Sequence, residues 1–124
     1  MSKEQYSCVI PERDHLKACH DLLAGLSIVS YRMNTGRAKY ANKDGTDRFV
    51  RYGHKGMSDI IGYIPMELMG SDKAVPLFWE VKKKGGKPTQ FQESFVLKAK
   101  SSGCFAGWGT VEDLVDELKK WGIL

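Results

Sequence analysis

The chain has 124 residues, the size of one domain, and can bury a real core without disulfide staples. A hydrophobic fraction of 42% and a charged fraction of 27% are ordinary for a globular domain, and no apolar run reaches the length of a transmembrane helix. The net charge of +4 is a modest basic bias that leaves a polyanionic partner open.

The N-terminal MSKEQYSCVIPERD has no apolar signal core, so an intracellular, cytoplasmic protein is expected. Pro11 to about Ala24 reads as a helix: Pro11 suits a first helical position, Leu16, Cys19, His20 and Leu23 recur at helical spacing, and Gly25 is a stop. Ser27 to Met33 is β-branched and aromatic, hence a strand. Asn34-Thr-Gly36 turns the chain into a polar hairpin over 37–52, with Lys43-Asp-Gly-Thr46 at its tip. Ser58 to Ile64 and Pro76 to Lys82 read as core strands.

Gly85, Gly86 and Pro88 mark a loop. Thr89 to about Lys100 follows as a helix, with Phe91, Phe95 and Ala99 four apart. Cys104 to Trp108 is a short strand. Thr110 caps a last helix that sets Val111, Leu114, Val115 and Leu118 on one face. The expected fold is a single α/β domain over 1–124, a mixed central sheet flanked by helices, in the order helix, strand, hairpin, strand, strand, helix, strand, helix.

Cys8, Cys19 and Cys104 are odd in number and show no C-x-x-C spacing, which argues for inert thiols over a disulfide framework or zinc knuckle. His15 and Cys19 share a helix face, but two ligands do not make a tetrahedral site. The basic residues are clustered: Arg32, Arg37, Lys39, Lys43, Arg48, Arg51 and Lys55 in one stretch, Lys82, Lys83, Lys84 and Lys87 in another. Solvated surface is the bland explanation of both.

Chemistry concentrates at Pro76-Leu-Phe-Trp-Glu-Val-Lys82. Side chains two apart on a strand share a face, so Glu80 and Lys82 point one way and Trp79 and Val81 the other. If the strand before it pairs with aligned ends, Asp59 converges on Glu80. Adjacent carboxylates raise each other's pKa, and a hard divalent cation such as Mg²⁺ or Mn²⁺ relieves the repulsion. Such a metal activates water and polarises a phosphate, while a neighbouring lysine stabilises charge that develops during attack. The alternative is a solvated Glu–Lys pair at a strand end. Gln92 has two readings as well, since Thr89-Gln-Phe-Gln92 also fits a capping box.

Arg32-Met-Asn-Thr-Gly36, Gly56-Met-Ser-Asp-Ile-Ile-Gly62, Glu80-Val-Lys82, Gln92-Glu-Ser-Phe95 and Gly103 follow one another in an order and spacing that resemble the virus-type replication-repair nuclease (VRR-NUC) family of the PD-(D/E)XK superfamily. The resemblance runs from the first helix nearly to the end, and the short chain is similar to stand-alone phage members. It implies a restriction-endonuclease-like core and metal ligation by Asp59, Glu80 and the Val81 carbonyl. It also implies Lys82 beside the attacking water, Gln92 in support, and an acid on the first helix. Glu12 matches that acid best, with Asp14 as competitor. Ser58 departs from the pattern, which has proline there.

The expected activity is metal-dependent cleavage of branched DNA, Holliday junctions above all, by a homodimer that supplies two sites. Arg32, Asn34, Arg37, Lys55, Lys83 and Lys84 are the expected DNA contacts. The alternatives are a monomeric flap or single-strand nuclease and a non-catalytic nucleic-acid-binding module.

Overall fold

The computed structural model describes residues 9–33, 36–52 and 54–124. Cys8, Asn34 and the Arg37 side chain lie outside what is described. The elements are α1 (Glu12–Gly25), β1 (Val29–Arg32), β2 (Gly36–Ala41), β3 (Asp47–Tyr52), β4 (Ile60–Ile64), α2 (Met66–Met69), β5 (Val75–Val81), α3 (Gln90–Ser101), β6 (Phe105–Gly109) and α4 (Val111–Lys120). Among the described residues they form a four-stranded sheet in the order β1-β4-β5-β6, with β2 and β3 as a separate hairpin. β4 runs antiparallel to both β1 and β5, whereas β6 runs parallel to β5 after the α3 crossover, so the sheet is mixed.

Alternation along β5 divides the two faces. Leu77, Trp79 and Val81 are buried and join Cys19 and Leu23 of α1 with Leu114 and Leu118 of α4 in the core. Phe105 of β6 lies 5.4 Å, ring to ring, from Trp121, which places that tryptophan against the core. Phe78 points to the other face and meets Phe95 of α3 edge-on at 5.3 Å. α3 therefore covers β5 and β6 from the side opposite α1 and α4.

The differences from expectation are local. Pro11 is the N-cap of α1 and Glu12 its first helical residue. α2 is a single turn between Pro65 and a left-handed Gly70, φ 62°, too short for periodicity to reveal. The buried residue of α3 is Val96, while Phe91 stands 53% exposed. Thr110 caps α4 as expected, its hydroxyl accepting the Asp113 N–H and its own N–H donating to the Asp113 carboxylate at 2.9 Å.

Candidate active site

The register of β4 and β5 aligns Ile60 with Trp79, so Asp59 and Glu80 come next across the pair. β4 begins at Ile60 and not at Ser58, because Asp59 ends the ladder itself. Its carbonyl accepts the Met33 N–H at 2.6 Å, and its carboxylate Oδ2 accepts the Val81 N–H at 2.9 Å. A side-chain oxygen thus satisfies a donor that a longer β4 would have met with backbone.

Glu80 is 2% exposed. A carboxylate there needs partners, and it has them on one oxygen only. Oε1 accepts from Gln92 Nε2 at 2.8 Å and lies 3.6 Å from the Lys82 ammonium. Among the described residues Oε2 is buried and receives no donated hydrogen bond, and the group it can share a proton with is the Asp59 carboxyl. Burial, and then the neighbouring Asp59 carboxylate, push the Glu80 carboxyl up to about 8, with Lys82 opposing the rise. The direction of the shift favours a proton kept between the two carboxyls.

The two readings of Gln92 turn out to be compatible. Its amide oxygen accepts the Thr89 N–H at 2.8 Å and its backbone N–H donates to the Thr89 hydroxyl at 3.2 Å, completing the capping box. That leaves the amide NH₂ aimed at Glu80.

This donor set fits a hard divalent cation. Two carboxyls are pressed together, burial and their mutual repulsion disfavour the ionised Glu80, and Oε2 receives no donor from the described residues. A cation would replace the proton and satisfy the oxygen. Val81, the expected backbone ligand, is tied to Asp59 through its N–H. Among the described residues no third acid, histidine or cysteine gathers with the pair. Glu12 and Asp14 are exposed in the first turn of α1, so the expected first-helix acid is not assembled there. Solvent and substrate oxygens would complete the shell.

The expected DNA contacts separate. Lys83 and Lys84 are exposed just past β5, beside Lys82. Lys55 is exposed, its ammonium 4.1 Å from the centroid of the Phe91 ring. Arg32 pairs with Ile60, whose side chain is in the core, so alternation turns Arg32 away from Asp59. It acts instead on His20, whose pKa is lowered by burial and then by that guanidinium. His54 is exposed and lines a trough with Phe91. Gly56 has φ +87°, and a Cβ on it would come within 2.5 Å of the Phe91 carbonyl oxygen, so turn geometry and close packing account for that glycine.

Cys19 is fully buried and its thiol is pushed up to about 12 by burial, consistent with an inert thiol. His15 is buried and its Nδ1 accepts the Val111 N–H at 3.3 Å, a structural role joining α1 to α4. Ser58, next to Asp59, is also buried, and its hydroxyl has no partner. Sequence reasoning passed over the aromatic trough beside α3, because Lys55, Phe78 and Phe91 are remote in sequence and each looks ordinary alone.

Comparison with protein-family models, with curated proteins and with solved structures gives no match.

Proposed function

We propose that the chain is a divalent-metal-dependent endonuclease that hydrolyses phosphodiester bonds in branched DNA, built on a restriction-endonuclease-like core of the VRR-NUC type. The observation that carries this reading is the placing of Asp59 opposite a buried Glu80, with Lys82 3.6 Å from Glu80 Oε1. A structural ion pair would not need the second acid.

Asp59, Glu80 and the Val81 carbonyl would hold Mg²⁺ or Mn²⁺, which would supply a water nucleophile at neutral pH and positive charge against the phosphate. The protein's own groups do the rest. Gln92 fixes the Glu80 carboxylate by holding Oε1, leaving Oε2 for the cation. Lys82 brings a nearly buried ammonium, 14% exposed, to the same oxygen, close enough to neutralise charge on the phosphate as attack proceeds. Lys83 and Lys84 position the DNA backbone without reading sequence.

One chain carries one such centre, and resolving a four-way junction takes two cuts, so a homodimer is the proposed working form. The test is incubation of a labelled four-way junction, a flap and a plain duplex with Mg²⁺ or Mn²⁺, with sedimentation at assay concentration. Paired, symmetric junction cuts from a species of dimer mass are expected. Cutting confined to flaps or single strands by a species of one-chain mass would replace this reading with a monomeric nuclease.

A further inference from the structure

A trough of about 510 Å³ runs along α3 from Phe91 to Ser102, bounded by Phe78 of β5 and by His54 and Lys55 of the loop before β4. That is within the ~300–1,000 Å³ usual for ligand sites. Phe78, Phe91 and Phe95 form its aromatic walls, and His54, Lys55 and Lys98 its rim. Among the described residues no acid lines it.

The trough is built against the centre. Phe78 shares a strand face with Glu80, two residues on. Phe91 precedes Gln92, which holds Glu80. Phe78 and Phe95 are locked edge to face. Phe91 is different: more than half exposed, it carries the Lys55 ammonium on its ring. Gly56, with positive φ and no room for a Cβ beside the Phe91 carbonyl, lets the loop pass close to the helix start where Lys55 meets the ring.

We propose that this trough receives the base of an unpaired DNA nucleotide next to the scissile phosphate, an inference that rests on the nuclease reading of Asp59, Glu80 and Lys82. Every base has a π-face, and an exposed aromatic flanked by cations is the usual platform for one. The acid-free, cationic rim complements the phosphodiesters on either side of that base. Lys55 has only a ring to rest on in this contact, and a phosphate is the stronger partner. A continuous duplex keeps its base faces stacked and cannot fill the trough, so the preferred DNA exposes an unstacked base at the cut, as the branch point of a junction can. A second copy of the chain fits worse, since it would bring the same basic rim against itself.

The test is fluorescence anisotropy with a labelled oligothymidylate and a blunt duplex of equal length, in EDTA so that nothing is cut. Phe91→Ala is expected to lower the ratio of single-strand to duplex affinity about tenfold. Phe91→Leu, which keeps apolar bulk, is expected to stay low, and Phe91→Tyr to restore the ratio. An unchanged ratio in Phe91→Ala, or full preference retained by Phe91→Leu, overturns the proposal. So does an unchanged ratio with a lower sedimentation mass in Phe91→Ala, which would make the trough a contact between copies. Cleavage by the wild type separates the two readings. Cutting with an unchanged ratio removes the trough proposal alone. A lowered ratio with no cutting of any DNA in either metal leaves the trough as a single-strand site and removes the nuclease reading.

Discussion

Gln92 Nε2 donates to Glu80 Oε1 at 2.8 Å while the oxygen of the same amide accepts the Thr89 N–H, also at 2.8 Å. The cap therefore decides which end of the amide faces the carboxylate. A helix start and an acid on a buried strand are set by one side chain, which ties the folding of α3 to the geometry of the centre.

Replacing Gln92 separates those roles. Gln92→Ala removes both bonds and is expected to lower stability by about 1–2 kcal/mol. Gln92→Glu keeps an acceptor for the cap but puts a like charge against Glu80 in place of a donor, raising the Glu80 pKa further. Urea denaturation of both variants reads the first effect, and carboxyl titration by NMR the second. A Gln92→Ala midpoint equal to that of the wild type would show that neither bond contributes.

Relative to Glu80→Gln, the metal-free stability of the wild type should fall as pH rises from about 4.5 to about 8. The Glu80 carboxyl is raised to about 8 in the folded chain, from an ordinary value of 4.5, so over that window the folded state keeps a proton the unfolded state has lost. The contribution is complete below the unfolded pKa and is lost through the folded one. Glu80→Gln should flatten this part of the curve and be more stable than the wild type at pH 8 by about 1–3 kcal/mol. Mn²⁺, which binds the ionised form, should stabilise the wild type more at pH 8 than at pH 6 and leave Glu80→Gln nearly unmoved. Denaturant melts at several pH values, with EDTA or Mn²⁺, check both. A wild-type stability that does not fall relative to Glu80→Gln across the window in EDTA would contradict the assignment.

Gly107→Ala should be costly in a way that reaches the centre. A Cβ at Gly107 would lie 2.6 Å from Trp79 Cζ3, in a ring that is 2% exposed on the strand that carries Glu80. Overpacking of this kind costs about 1–3 kcal/mol, and relief by moving β5 would displace Glu80. A urea melt should show the loss, and a melt like that of the wild type would mean that the indole can shift freely.

Lys83 and Lys84, exposed just past the end of β5, predict salt-sensitive DNA binding. The joint Lys83→Ala, Lys84→Ala variant should reduce the slope of log affinity against log salt by about two. Affinities measured across a salt series decide this, and an unchanged slope would take both lysines off the DNA path.

Much of the fold could be read from periodicity. β5 shows why: Leu77, Trp79 and Val81 alternate with Phe78 and Glu80, and the structure buries the first set in the core. The convergence of Asp59 and Glu80 followed from the same alternation once the strands paired with aligned ends. What could not be read depends on three-dimensional neighbours. No local signal says that Asp59 caps the Val81 N–H, or that Gln92 serves helix and carboxylate together. Phe91 has the helical spacing of a core residue, yet it lies where α3 overhangs the loop at Lys55 and stays exposed. Glu12 has a suitable position in the sequence, but the first turn of α1 leaves it in solvent.

The central claim is that Asp59, Glu80 and Lys82 form one metal-dependent phosphodiesterase centre. The most direct measurement is cleavage of a labelled four-way junction across a Mg²⁺ and a Mn²⁺ titration by the wild type, Lys82→Ala and Glu80→Gln, with DNA affinity measured alongside. Metal-dependent cutting should fall at least about a hundredfold in both variants, a loss typical of removing a group that stabilises transition-state charge, while DNA affinity falls far less. Cutting by Glu80→Gln at the wild-type rate, or DNA binding by the wild type without cutting in either metal on junction, flap and single strand alike, would contradict it.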